Sequence, residues 1–213
     1  SYYDLPLQSM QKSTLYDHCV RALNNGFRYG EHGLPLMGSG DWNDGMDQVG
    51  IHGRGESVWL GFFTYDILMN FIELAEGHQD PDFAVQCKAE ADRLKVNIEK
   101  NAWDGEWYIR AFTDHGEKFG SKDSKHNTID SLPQSFSVFA DMKPSERVKS
   151  AILSAYDRLV DKQYKIIKLF ETPFSGTNRD SGYIQAYPEG VRENGGQYTH
   201  ASVWLAMALF DID

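Results

Sequence analysis

A chain of 213 residues, 41% hydrophobic and 24% charged, has room for one large domain or two small ones and an ordinary globular composition. Its net charge of −10 speaks against nucleic acid as a partner, since phosphate backbones are bound by basic faces, but leaves room for one local cationic pocket. Cys19 and Cys87 are far apart and read as buried free thiols, and there is no Asn-x-Ser/Thr sequon, signal peptide or apolar run of about 20 residues; a reducing, cytoplasmic setting with no membrane segment is expected.

In chain order, Ser13 reads as the cap of a first helix whose stripe of Leu15, Cys19, Ala22 and Leu23 runs to about Asn24. The glycines crowded between Gly33 and Gly53 exclude a helix interior or a plain strand and predict a close-packed, sharply turning loop. Glu56 opens a long helix whose apolar residues, from Val58, Trp59 and Phe62 to Ala75, cover more than one face, so it is packed on several sides; Gly77 ends it. Asp80-Pro81 starts the next, with Pro81 at the first helical position and Phe83, Ala84, Cys87, Ala91, Leu94 and Ile98 as its stripe.

A short strand is predicted within Gly105–Thr113, between an Asp104-Gly105 and a His115-Gly116 turn. Helices follow over Ser131–Met142 and Pro144–Val160, then a weakly alternating strand over Lys165–Phe170. A loop rich in Gly, Ser, Asn and Pro spans Thr172–Gly196, and Tyr198–Phe210 is a last apolar helix. The fold class is therefore all-α, a layered array of paired helices with short β excursions in the loops.

The chemistry concentrates in Gly33–Gly61, where Asp41, Asp44 and Asp47 lie between Trp42 and Trp59. A carboxylate beside an indole is a way to handle sugars, the ring stacking on the apolar face of the sugar and the acid acting on its oxygens. Asp44-Gly45 taken alone is an ordinary turn. Asp41 either orients the loop, binds a sugar hydroxyl or caps backbone amides; Trp42 stacks on a sugar or packs in the core; Asp47 is structural or solvated. Arg54 and Glu56 either hold an anion or a sugar hydroxyl at a helix start or form a cap and an ion pair. An EF-hand reading fails because Met46 and His52 stand where glycine and glutamate are needed, and the glycines do not complete a dinucleotide fingerprint. The histidines show no metal-ligand spacing, and no nucleophile elbow is present, so no metal or cofactor is expected.

This segment, with its Asp41-Trp42-Asn43-Asp44-Gly45 core, resembles the catalytic loop of glycoside hydrolase family 94, the inverting glycoside phosphorylases, and most of all the branch with cyclic β-1,2-glucan synthases and 1,2-β-oligoglucan phosphorylases. Tyr187–Trp204 resembles the family's later active-site segment; Asn101–Phe112, and Asp130-Ser131 followed by Pro133-Gln134-Ser135, resemble two supporting elements. The resemblance implies that residues 1–213 are part of an (α/α)6 catalytic barrel of twelve helices, of which six are present, with the remainder in a larger polypeptide or a homo-oligomer. It implies Asp44 as the general acid, Trp42, Asp41, Arg54, Glu56, Arg192 and Glu193 as substrate-binding residues, and His200 as the phosphate-binding residue. Glu193 would bind a sugar hydroxyl or position His200; Arg110, Asp130 and Gln134 touch substrate or hydrogen-bond between layers. Glucan oligosaccharide and inorganic phosphate, the co-substrate, are the implied partners. An incomplete barrel leaves Val58, Trp59, Phe62 and the last helix partly unburied.

Overall fold

The computed structural model describes residues 5, 7–140, 145–176 and 179–212. The first helix, α1 (Leu15–Gly26), is capped by Thr14 and not by Ser13. The Thr14 hydroxyl accepts from Asp17 N at 3.1 Å while Asp17 Oδ2 accepts from Thr14 N at 3.2 Å, a reciprocal capping box. Such a cap stabilises by about 1 kcal/mol.

Glu56 lies in a short strand, β1 (Glu56–Ser57), and the long helix α2 (Val58–Gly77) begins after it, with the Ser57 hydroxyl accepting from Leu60 N at 3.0 Å. The helix α3 (Pro81–Asn101) starts as expected, Asp80 accepting from Phe83 N at 3.1 Å and Pro81 in the first turn. Leu68, Phe71 and Ala75 of α2 pack on Phe83, Ala84, Cys87, Ala91 and Leu94 of α3, and the half-buried Tyr16, Cys19, Val20 and Leu23 of α1 lie against them. Cys87 is buried, while Cys19 is only half-buried; both are free.

The strand expected within Gly105–Thr113 is reduced to β2 (Ala111–Phe112), paired antiparallel with β1 and with β3 (Lys118–Phe119). Residues before it find a side chain where a neighbouring strand would be: Tyr108 N donates to Gln134 Oε1 at 3.0 Å and Gln134 Nε2 donates to Tyr108 O at 2.8 Å. Gln134 sits on α4 (Ser131–Phe139), capped by Asp130 and buried along most of its length. The expected end of this helix at Met142, and the expected start of the next at Pro144, lie outside the described residues. The next helix, α5 (Glu146–Leu159), is capped by Ser145 and leads into a two-stranded hairpin, β4 (Val160–Asp161) and β5 (Ile166–Ile167). The last helix is α6 (Thr199–Asp211).

The helix α4 is the hub, in contact with α2, α5 and α6. Val58, Trp59 and Phe62, expected at an open edge, are instead 0, 6 and 6% exposed, because Trp59 packs on Phe63 and Phe136 and Phe62 on Tyr108. The expected open edge is found on α6, where Val203, Met207 and Phe210 are 49, 51 and 82% exposed. Against the expectation of no such run, α2 is long and apolar enough by composition to cross a membrane. Seven of its residues, Val58 and Trp59 among them, are buried against the neighbouring elements, as in a core helix.

Candidate active site

The loop between α1 and α2 is fixed from below. Met46 and Val49 are fully buried anchors, and Asp114 accepts from the backbone N–H groups of His52, Arg54 and Gly55 at 2.6, 2.8 and 2.8 Å. Burial opposes ionisation of Asp114, but these three donors outweigh it and hold the carboxyl below the usual range. At Gly55 no side chain fits, since a Cβ would stand 2.1 Å from Val49 O.

Asp41 is the second fixed point. Its side chain is fully buried, and Arg110, also 0% exposed, grips it with two parallel bonds of 2.7 and 2.6 Å. Ser57 Oγ donates to it at 2.6 Å and Asn43 N at 3.0 Å. Burial again opposes the charge, and Arg110 with these donors wins, so Asp41 is an anion with a lowered pKa. Arg110 also faces the buried Asp130 at 3.4 Å, whose pKa is raised by burial. Both oxygens of Asp41 are thus bonded within the protein, the arrangement of its loop-orienting reading. Arg110, Asp130 and Gln134 likewise serve bonds between layers.

Asp44, three residues on, is in the opposite environment. Asn43 and Gly45 on either side of it are buried and Asp44 is exposed. Tyr183 stands beside it, and burial of the phenol together with the Asp44 carboxylate pushes the Tyr183 phenol up to about 12. From Tyr183 a run of contacts returns to the loop. Tyr183 meets Tyr187 with ring centroids 6.2 Å apart, and Arg192 lies 4.7 Å over the Tyr187 ring. Arg192 Nε is 3.2 Å from Glu193 Oε2, a buried oxygen with no hydrogen-bond partner among the described residues, and the Glu193 carboxylate lies beside Tyr198. Tyr198 meets Trp42 edge-on at 5.3 Å. The Glu193 carboxylate raises the pKa of both Arg192 and Tyr198.

His200 stands in the first turn of α6 beside this ring. Its Nδ1 accepts from Trp42 Nε1 at 3.1 Å, and its ring lies 4.0 Å from that of Trp204. An indole N–H only donates, so Nδ1 carries no proton and the hydrogen is on Nε2. The exposed imidazole therefore turns its Nε2–H outward as a donor. Trp42, and not Glu193, positions it. The N-terminus of α6 has no side-chain cap.

Arg54 and Glu56 belong elsewhere. They line a polar cavity of about 670 Å³ with Tyr29, His32, Phe112 and Asp114, and neither Asp44, Glu193 nor His200 lines it. Glu56 is 1% exposed and saturated: it accepts from Leu34 N at 2.9 Å and from His32 N at 3.1 Å, and pairs with His32 Nδ1 at 2.5 Å. It pairs with this histidine and not with Arg54, and it is not placed to bind substrate beside Asp44. Among the described residues no three His, Cys, Asp or Glu side chains gather as a metal site.

Of the sequence-predicted site residues, then, Asp44, Trp42, Arg192, Glu193 and His200 come together, while Asp41, Arg54 and Glu56 do not join them. Tyr183 and Tyr198, not named as site residues from the sequence, stand with them.

Asp44 is thus an exposed carboxylate among aromatic rings, an arginine and an imidazole on a helical scaffold. Residues 1–212 match the glycosyl hydrolase 94 superfamily catalytic domain, and the chain belongs to that family. It is similar to the cyclic beta-(1,2)-glucan synthase NdvB of Rhizobium meliloti (strain 1021), 42% identical over 91% of this chain and 7% of the synthase. It is also similar to solabiose phosphorylase of Paenibacillus borealis, 34% identical over 92% of this chain, and to N,N'-diacetylchitobiose phosphorylase of Vibrio furnissii, 28% identical over 96%. The chain spans 25% of the length of each of these two phosphorylases.

Proposed function

We propose that this chain carries the general acid and part of the phosphate site of an inverting glycoside phosphorylase, within an (α/α)6 barrel completed by other segments of a larger cytoplasmic polypeptide. The substrate is a β-linked glucan, with β-1,2-glucan preferred. The identity to the β-1,2-glucan synthase, higher than to either phosphorylase, supports that preference.

In this reading protonated Asp44 gives its proton to the glycosidic oxygen as the bond from that oxygen to the anomeric carbon breaks. A phosphate oxygen attacks the same carbon from the opposite face, and α-glucose 1-phosphate is released. A hydrolase working by inversion needs a second carboxylate to activate water. Phosphate is already an anionic nucleophile, and one acid suffices.

The observation that carries the proposal is the contrast between the two carboxylates of the ring. Asp44 is exposed, whereas Glu193 is buried beside Arg192 with Oε2 free of hydrogen bonds among the described residues, an acceptor open to a sugar hydroxyl and, paired with the arginine, a poor base for water. The His200 Nε2–H and the uncapped start of α6 provide donors for a phosphate oxygen. Trp42 and the tyrosines supply faces for sugar rings.

The test is Asp44→Asn in the full-length enzyme. Phosphate-dependent release of glucose 1-phosphate from glucan should fall by at least about 100-fold, as for loss of a general acid. Retention of the wild-type rate by a folded variant would remove Asp44 from the mechanism, and phosphate-independent release of glucose would make the enzyme a glycosidase.

A further inference from the structure

The cavity that holds Arg54 and Glu56 lies apart from Asp44 and gathers cationic groups. The Arg54 backbone is fixed, its N–H donating to Asp114 Oδ1 at 2.8 Å, while its side chain is exposed and has no ion pair among the described residues. Arg179, 68% exposed, lines the same cavity from the segment before α6. It shares a buried oxygen with His115: Asp180 Oδ1 is 3.4 Å from Arg179 Nε and 2.8 Å from His115 Nδ1. His32 is held in the same way, with Nδ1 on the buried Glu56. A carboxylate only accepts, so each imidazole turns its Nδ1 hydrogen to its acid and keeps Nε2 for another partner.

The acids of the cavity are already engaged. Glu56 is bonded by His32 and by the backbone of His32 and Leu34, and Asp114 by three backbone N–H groups. Only Glu31 is an exposed carboxylate among the lining residues. The aromatic rings are engaged as well: Arg93 lies 3.6 Å over Tyr29, and His32 is stacked on Phe112 at 3.7 Å, leaving Phe112 4% exposed. Stacking on a sugar ring therefore has little to offer here, whereas an oxyanion meets two guanidinium groups and two imidazoles. We propose that this cavity binds the phosphate group of a small molecule, either free phosphate or a sugar phosphate, with Arg54 and Arg179 as its charged ligands and His32 and His115 beside them. Each Nε2 accepts from a phosphate hydroxyl when neutral and donates to a phosphate oxygen when protonated. The volume of about 670 Å³ falls among small-molecule sites, about 300–1,000 Å³. Neither Asp44 nor His200 lines the cavity, so the site does not depend on the reading of either.

The test counts bound phosphate in the full-length enzyme. Equilibrium dialysis is run with labelled inorganic phosphate and, separately, with labelled α-glucose 1-phosphate, in about 0.15 M chloride salt to screen weak surface binding. Arg54→Gln combined with Arg179→Gln should remove one bound phosphate per chain, and His200→Ala should leave that one in place. Arg179→Gln alone, at an exposed side chain, should weaken it about tenfold, as for one lost hydrogen bond to a charged group. Thermal melts without phosphate check that the variants fold. If inorganic phosphate alone occupies this portion the ligand is the free ion, and if glucose 1-phosphate occupies it the ligand is a sugar phosphate; both results support the site. A count unchanged by the arginine substitutions overturns it. So does loss of the same bound phosphate in His200→Ala, which would place that phosphate beside Asp44.

Discussion

Replacing Arg110 by Met tests the account of how the acid loop is fixed. Arg110 is 0% exposed and is the counter-charge of two carboxylates, gripping Asp41 at 2.6 and 2.7 Å and facing Asp130 at 3.4 Å. Methionine fills much of the same volume, so the change removes charge and hydrogen bonds more than packing. Removing one partner of a buried pair costs about 3–5 kcal/mol, because the other charge is left uncompensated. For a domain of this size each kcal/mol lowers Tm by about 2–4 °C, which gives a fall of roughly 6–20 °C. The pH dependence provides a second signature. Asp41 is held below the usual carboxylate range, so the stability it brings is fully present above pH ~4 and is lost as pH falls through its lowered value. In the variant the orphaned carboxylates of Asp41 and Asp130 oppose folding when ionised and cease to do so when protonated. The gap in Tm between the two proteins must therefore be widest near pH 7 and narrow on acidification. Thermal melts of the full-length enzyme across that range read both quantities. A fall of less than about 2 °C at pH 7, or a gap independent of pH, would refute the assignment of a buried ion cluster.

His200→Ala removes the Nε2–H donor and should weaken the apparent affinity for phosphate about tenfold or more, with less effect on that for glucan; equal weakening of both, in initial-rate kinetics, would make His200 only a support for Trp42. The 213-residue chain by itself leaves Val203, Met207 and Phe210 of α6 uncovered, each worth about 1.5–3 kcal/mol on burial. Expressed alone it should self-associate in sedimentation and release no glucose 1-phosphate, and a stable, active monomer would contradict this.

What the sequence makes legible here is local. Asp80-Pro81 names its own helix start, and Asp44 is recognisable as the proposed acid because its neighbours in sequence, Trp42 and Asn43, are part of the pattern. Ser13 and Thr14 cannot be told apart by type, since both hydroxyls bond Asp17 and only Thr14 also completes the box. Glu56 has the look of a first helical residue, and becomes a strand because Phe112 is across from it in β2. Asp41 looks as reactive as Asp44, and it is Arg110, 69 residues away, together with Ser57 that sets them apart. Tyr183 is hidden for the same reason: its backbone meets Asp47 across 136 residues.

Two carboxylates three residues apart on one loop thus have opposite fates, and the difference makes the site possible. A group that must exchange a proton in every turnover needs solvent and substrate on one side and few bonds on the other. A loop that holds such a group still needs the reverse, an ion buried and bonded so fully that it never changes state. The Asp41 side chain has four donors and no exposure; Asp44 has an open face beside Tyr183. In the proposed mechanism, environment divides the roles between identical side chains. The turn Asn43–Met46 between them, closed by Met46 N donating to Asn43 O at 3.1 Å, transmits the rigidity of the first to the position of the second.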